Sequence, residues 1–135
     1  IKLTSDAFKE CKKSIQNSEI LILGVSYKPD VKDIQLSPAE HIIRKLQDLG
    51  ANIHIYDPYF SSSQVFGITS EDNIEDIISK VDAAIIVTGH DEFKKLQIHT
   101  FTKMQHPILI DTRGIIDPSI AKQEKLIFRG LGRGN

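Results

Sequence analysis

Lys28 and Arg113 are the two side chains of this sequence best placed to hold an oxyanion. Lys28 lies in the charged run Gly24-Val25-Ser26-Tyr27-Lys28-Pro29-Asp30-Val31-Lys32-Asp33-Ile34-Gln35, directly after the apolar segment Ile20-Leu21-Ile22-Leu23. Arg113 follows another apolar segment, in Asp111-Thr112-Arg113-Gly114. Arginine offers a planar fork that fits a phosphate, and lysine a mobile point charge. A single Lys or Arg is more often a solvated surface charge, but the shared position after a strand-like run sets this pair apart. Asp57 opens the turn Asp57-Pro58, or it holds a ribose hydroxyl as a strand-end acid does in nucleotide-binding α/β units; the turn reading comes first. Asp30 and Asp33 read as loop acids bound to backbone or to Lys32, ahead of a carboxylate pair. The histidines His41, His54, His90, His99 and His106 show no ligand spacing, so no metal site is expected. Cys11 sits on the apolar side of a predicted helix, where a small core residue is expected rather than a nucleophile. Ser61-Ser62-Ser63 reads as loop. No nucleophile, base and orienter can be assembled from the rest, so no catalytic residue is assigned.

These residues need a scaffold. The periodicity predicts helices over Ser5–Asn17, Ser37–Leu49, Asn73–Lys80 and Glu92–Leu96, and strands over Glu19–Gly24, Asn52–Tyr56, Asp82–Val87, Pro107–Ile110 and Leu126–Phe128. The helix from Ser37 is the best signalled. It has an N-cap serine, Pro38 at the first helical position, Glu40 to close a capping box, an Ile42-Ile43-Leu46-Leu49 stripe and Gly50 as the stop. Phe60–Gly67 reads as irregular and Gly130–Asn135 as a loose tail. Strands alternating with helices predict a three-layer, doubly wound, mostly parallel α/β sheet in a single domain. The strands are continuous apolar runs, as a sheet covered on both faces requires. Tyr27, Lys28, Asp57, Thr88, His90, Asp91, Asp111 and Arg113 then all fall at carboxyl ends of strands, the rim where such sheets bind ligands. The loop after the first strand is about twice the usual length of roughly 2–6 residues, another mark of a functional loop.

Composition narrows the classes. The 135 residues are 40% hydrophobic and 26% charged, with a formal net charge of −1. That balance suits a globular domain and gives no basic excess for nucleic acid. No apolar run approaches the roughly 18 residues of a membrane span. A single cysteine permits no internal disulfide and favours the cytoplasm. The chain begins Ile1-Lys2-Leu3, which reads as a domain cut from a longer protein.

With these residues in view, the chain resembles the C-terminal, nucleotide-sugar-binding domain of the UDP-glucose/GDP-mannose dehydrogenase family. The resemblance rests on Ile20–Asp30, Asp33, Ser37-Pro38, Leu49-Gly50-Ala51, Ile55-Tyr56-Asp57-Pro58, Asp82–Lys94 and Ile110-Asp111-Thr112-Arg113, and so spans nearly the whole chain. It implies a Rossmann-like fold for residues 1–135. It also implies a parent enzyme that oxidises the C6 hydroxyl of a sugar nucleotide to a carboxylate in two NAD-dependent steps, supplying polysaccharide precursors. Tyr27, Lys28 and Arg113 map to substrate contacts. The glycine fingerprint that binds NAD and the catalytic cysteine motif belong to N-terminal and central domains outside this sequence, so the chain alone is expected to be inactive. The family's Asp-x-Arg arginine, which reaches toward the NAD side, is replaced by Gln35. The resemblance further implies a UDP-sugar or GDP-sugar substrate, with an N-acetylhexosamine nucleotide ahead of UDP-glucose, and a homo-oligomeric parent. Two other readings stand beside it. One is a non-catalytic nucleotide-binding or interaction module. The other is a receiver-type signalling domain, which would need an acid pair after the first strand where this chain has Val25-Ser26-Tyr27.

Overall fold

The computed structural model describes residues 2–10, 13–26, 28–30, 37–60 and 62–130. Tyr27, Asp33, Gln35 and Cys11 lie outside these described residues. Five strands form one parallel sheet: β1 (Glu19–Leu23), β2 (Asn52–Tyr56), β5 (Ala83–Ile86), β6 (Ile108–Asp111) and β7 (Ile127–Gly130), in the order β2-β1-β5-β6-β7. The register pairs Ile20 with Ile53 on one side and with Ala83 on the other.

Alternation along the strands divides the core into two layers. Ile20, Ile22, Ile55, Ala83, Ile85, Ile108 and Ile110 pack under α1 (Lys2–Glu10) and α2 (Pro38–Asp48). Leu21, Leu23, Tyr56, Ala84, Ile86 and Leu109 face the other way. That layer is closed by α3 (Glu75–Ile78), α4 (Asp91–Lys94), a 3-10 helix (Ile98–Lys103) and α5 (Pro118–Gln123). The expected doubly wound architecture is the one observed.

Several local expectations need correction. Residues 60–67 are not wholly irregular, because β3 (Gln64–Val65) pairs antiparallel with β4 (Ile68–Thr69). Phe66 and Gly67, with φ of 52° and 81°, make the two-residue turn, whose positive angles match the right-handed twist of a hairpin. The hairpin lies against β2, and Glu71 N–H donates to the Ile55 carbonyl at 2.7 Å. The first helix starts earlier than predicted and does not reach Asn17, which adopts a left-handed φ of 66°. Leu49 ends α2 at 45% exposure instead of joining its buried stripe. Ser37 caps α2 by accepting from Ala39 N–H at 3.1 Å, while Glu40, expected in a capping box, pairs with Arg44 at 3.8 Å. Gly130, assigned to the tail, is the last residue of β7. Helix α5 was not anticipated, although Asp117 caps it and Pro118 opens it.

At the amino end of the sheet Glu19 accepts from Asn52 at 2.7 Å and lies 2.7 Å from His54. The His54 hydrogen bond holds the Glu19 carboxyl below its ordinary value of 4.5. A carboxylate with a lowered folded pKa stabilises the fold above its unfolded value, and that stabilisation disappears as pH falls through the folded value. Glu19→Gln is therefore expected to cost under about 1 kcal/mol near neutral pH, since the pair is partly solvated. Urea melts of both proteins should show the difference closing below pH 4.5. A gap that is constant with pH would contradict the assignment.

Candidate functional site

Counting only the strands of the main sheet, their order is 2-1-3-4-5, so the chain reverses direction across the sheet between β1 and β5. The crevice beyond the carboxyl ends at such a reversal is where open α/β sheets hold ligands. Here β1 and β5 leave the sheet almost in contact. Gly24 has φ of 93°, and a Cβ there would lie 2.5 Å from Thr88 Cβ. Thr88 also donates through Oγ1 to the Ser26 carbonyl at 2.7 Å. Gly24 thus allows two loops to touch, and Thr88 fills the space a side chain would take.

Asp57, at the end of β2, is fully buried. Its Oδ2 accepts from Val25 N–H at 2.8 Å and lies 2.9 Å from His90 Nε2, and its Oδ1 accepts from Tyr59 N–H at 2.9 Å. The turn reading holds, and the ribose reading does not, because this carboxylate is enclosed and occupied. Asp30 is a loop acid as expected: its Oδ1 accepts from Asp91 N–H at 2.9 Å. Val25 and Ser26, which stand where a receiver needs its acids, are both fully buried.

Asp111 organises the rim beyond β6. It is fully buried and accepts from the backbone N–H groups of Arg113 and Gly114, both at 2.9 Å, and of Ile116 at 2.8 Å. This turn carries Arg113 back toward β5, where its Nε–H donates to the Val87 carbonyl at 2.7 Å. That bond fixes the plane of the guanidinium. Gly89 keeps the floor clear, since a Cβ there would come within 3.2 Å of Ile115.

The result is a cleft of about 410 Å³ lined by Lys28, Pro29, Thr88, Gly89, Lys94, Arg113 and Ile115. Lys28 and Arg113, paired on strand position alone, share it. Lys94 is the cation that sequence reasoning missed. It stands on α4, immediately after the β5 loop, and Asp91 at 3.6 Å steadies it. Among the described residues the lining side chains include three cations, Lys28, Lys94 and Arg113, and no acid, although Asp91 pairs with Lys94 beside it. Behind it Tyr56 donates its phenol to Glu92, and burial followed by that carboxylate raises the Tyr56 pKa. Among the described residues no three His, Cys, Asp or Glu side chains gather as a metal site. Three further histidines pair with acids elsewhere, His54 with Glu19, His106 with Asp82 and His99 with Glu124, and His41 lies exposed on α2.

Fold and cleft together define a doubly wound α/β domain with a crevice lined by Lys28, Lys94 and Arg113 at its switch point. Residues 21–118 match the UDP-glucose/GDP-mannose dehydrogenase family, UDP binding domain, and the chain belongs to that family. It is 34% identical over 128 residues to the UDP-N-acetyl-D-mannosamine dehydrogenase of Pyrococcus horikoshii, covering 92% of this chain and 28% of the relative. It is 29% identical over 125 residues to a UDP-glucose 6-dehydrogenase of Bacillus subtilis, covering 89% of this chain and 27% of the relative. Among solved structures, the NDP-N-acetyl-D-galactosaminuronic acid dehydrogenase of Methanosarcina mazei superposes with a TM-score of 0.88 at 25% identity. That match covers 98% of this chain and 28% of the other. The chain therefore spans under a third of the length of these relatives.

Asp111→Asn tests the rim turn. An amide oxygen cannot replace both carboxylate oxygens toward three N–H donors, so the substitution should destabilise the fold by about 2–3 kcal/mol in urea melts. Unchanged stability would mean that the turn holds without the carboxylate.

Proposed function

We propose that residues 1–135 are the C-terminal nucleotide-sugar-binding domain of an NAD-dependent nucleotide-sugar 6-dehydrogenase. The observation that carries the reading is the cleft in which Lys28, Lys94 and Arg113 converge at the switch point. A nucleotide diphosphate is the ligand such a cleft suits. The Arg113 fork addresses one phosphate, and Lys28 and Lys94 neutralise the rest. Tyr27, next to Lys28, completes the substrate contacts in this reading. The domain's work is then anchoring and orientation, which fixes the distal C6 hydroxyl for chemistry performed elsewhere. Relatives named for UDP-N-acetyl-D-mannosamine and UDP-glucose support a UDP-sugar over a GDP-sugar. The 34% identity to the former, against 29% to the latter, supports an N-acetylhexosamine nucleotide ahead of UDP-glucose.

Gly24, directly after β1, packs against Thr88, whose Cβ would lie 2.5 Å from a Cβ at that position. No step is assigned to NAD on this chain. In the proposal NAD is held chiefly by an N-terminal domain of a longer protein, and Gln35, the position this domain would offer to the cofactor, lacks the charge of an arginine. The same proposal makes the parent a cytoplasmic homo-oligomer that feeds polysaccharide synthesis with uronate precursors.

Calorimetric titration of UDP-glucose and UDP-N-acetylglucosamine into the 135-residue chain tests the reading. Lys28→Ala and Arg113→Ala should each weaken binding by about 1.5–3 kcal/mol, the range for hydrogen bonds to charged groups. Affinity should also fall with added salt. If both variants bind like the unaltered chain, the cleft is not the nucleotide site.

A further inference from the structure

We infer that His90 is a positioning residue, whose neutral Nε2–H tautomer clamps the loop carrying Lys28 in its ligand-holding conformation. The inference rests on the proposed role of the cleft. His90 is fully buried. The backbone N–H of Asp30 lies 2.7 Å from His90 Nδ1, and an amide N–H can only donate, so Nδ1 carries the lone pair. The ring proton then sits on Nε2 and is donated to Asp57 Oδ2 at 2.9 Å. Ser26 Oγ, 3.4 Å from Nε2, donates its own proton to the Lys28 carbonyl at 2.7 Å.

Lys28 is therefore held from both sides. Upstream, Val25 is bonded to Asp57 and Ser26 to Thr88. Downstream, Asp30 is held by His90 through its N–H and by Asp91 through its carboxylate. Asp30 has a φ of 61°, a left-handed angle that a non-glycine residue keeps only when its surroundings impose it. The Tyr59 and Phe93 rings, at centroid distances of 5.1 and 5.5 Å, leave the imidazole little room to turn. The Asp30 carboxylate lies 3.8 Å from the same Nδ1.

Two substitutions separate the two ends of the ring. Asn at position 90 can present an acceptor where Nδ1 stands, whereas Gln can present a donor where Nε2 stands. His90→Asn should therefore bind UDP-glucose more tightly than His90→Gln, with His90→Phe the weakest. The loss for His90→Phe should reach about tenfold and be bounded by that of Lys28→Ala. In the double variant the two losses should not add, because His90 acts through Lys28. Nitrogen NMR of the unaltered chain should show an unprotonated Nδ1 and a slowly exchanging Asp30 amide. Equal binding by the Asn and Gln variants, or additive losses, would overturn the inference. If the unaltered chain fails to bind UDP-glucose, the cleft reading fails by itself, and a rapidly exchanging Asp30 amide would then overturn the clamp as well.

Discussion

A carboxylate that water cannot reach must be met by donors, and Asp57 is such a carboxylate. Its donors come from three separate stretches of chain: Val25 after β1, Tyr59 after β2 and His90 after β5. Satisfying one buried charge therefore ties together the ends of three strands that the parallel sheet alone would leave to independent loops. Asp111 repeats the device at the end of β6, with three backbone N–H groups from its own turn. The electrostatic consequence is local. Two of the acids nearest the rim are turned inward and occupied, while Lys28, Lys94 and Arg113 line the cleft. An overall charge near zero thus coexists with a crevice whose described lining carries three cationic side chains.

Close packing at the switch point reinforces this arrangement. Gly24 and Thr88 come so near that a methyl group on Gly24 would overlap Thr88 Cβ. The glycine at this strand end is accordingly a packing glycine. The same contact brings Ser26 to Thr88, and Ser26 in turn holds the Lys28 carbonyl. Backbone, buried acid and imidazole cooperate to place a single lysine.

The sheet was legible because both its faces are buried, which makes each strand an uninterrupted apolar run. Helix α2 was legible because Ser37-Pro38 states its start. The rim followed from topology, and that was enough to pair Lys28 with Arg113 across much of the sequence. What escaped did so for physical reasons. The hairpin turn uses Phe66 where Asn or Asp is the usual signal for two positive φ angles. Helix α5 has a readable Asp117-Pro118 start, but it is only six residues long and offers little periodicity beyond it. Asp57 looked like a possible ligand because its burial depends on His90, 33 positions away, and the role of His90 depends on Asp30, 60 positions away. Lys94 gained significance only once α4 was folded back over the cleft. Local pattern reveals elements; the satisfaction of buried polar groups by distant partners does not show in it.

The central claim is that this domain grips a nucleotide diphosphate at the switch-point cleft and leaves bond chemistry to other parts of a longer enzyme. Amide chemical-shift mapping of the 135-residue chain during a UDP titration tests it most directly. The account predicts perturbations concentrated on Lys28, Thr88, Gly89, Lys94 and Arg113, with the Glu19–His54 end of the sheet unmoved. Saturable shifts centred on that opposite end, or none at millimolar UDP, would contradict it.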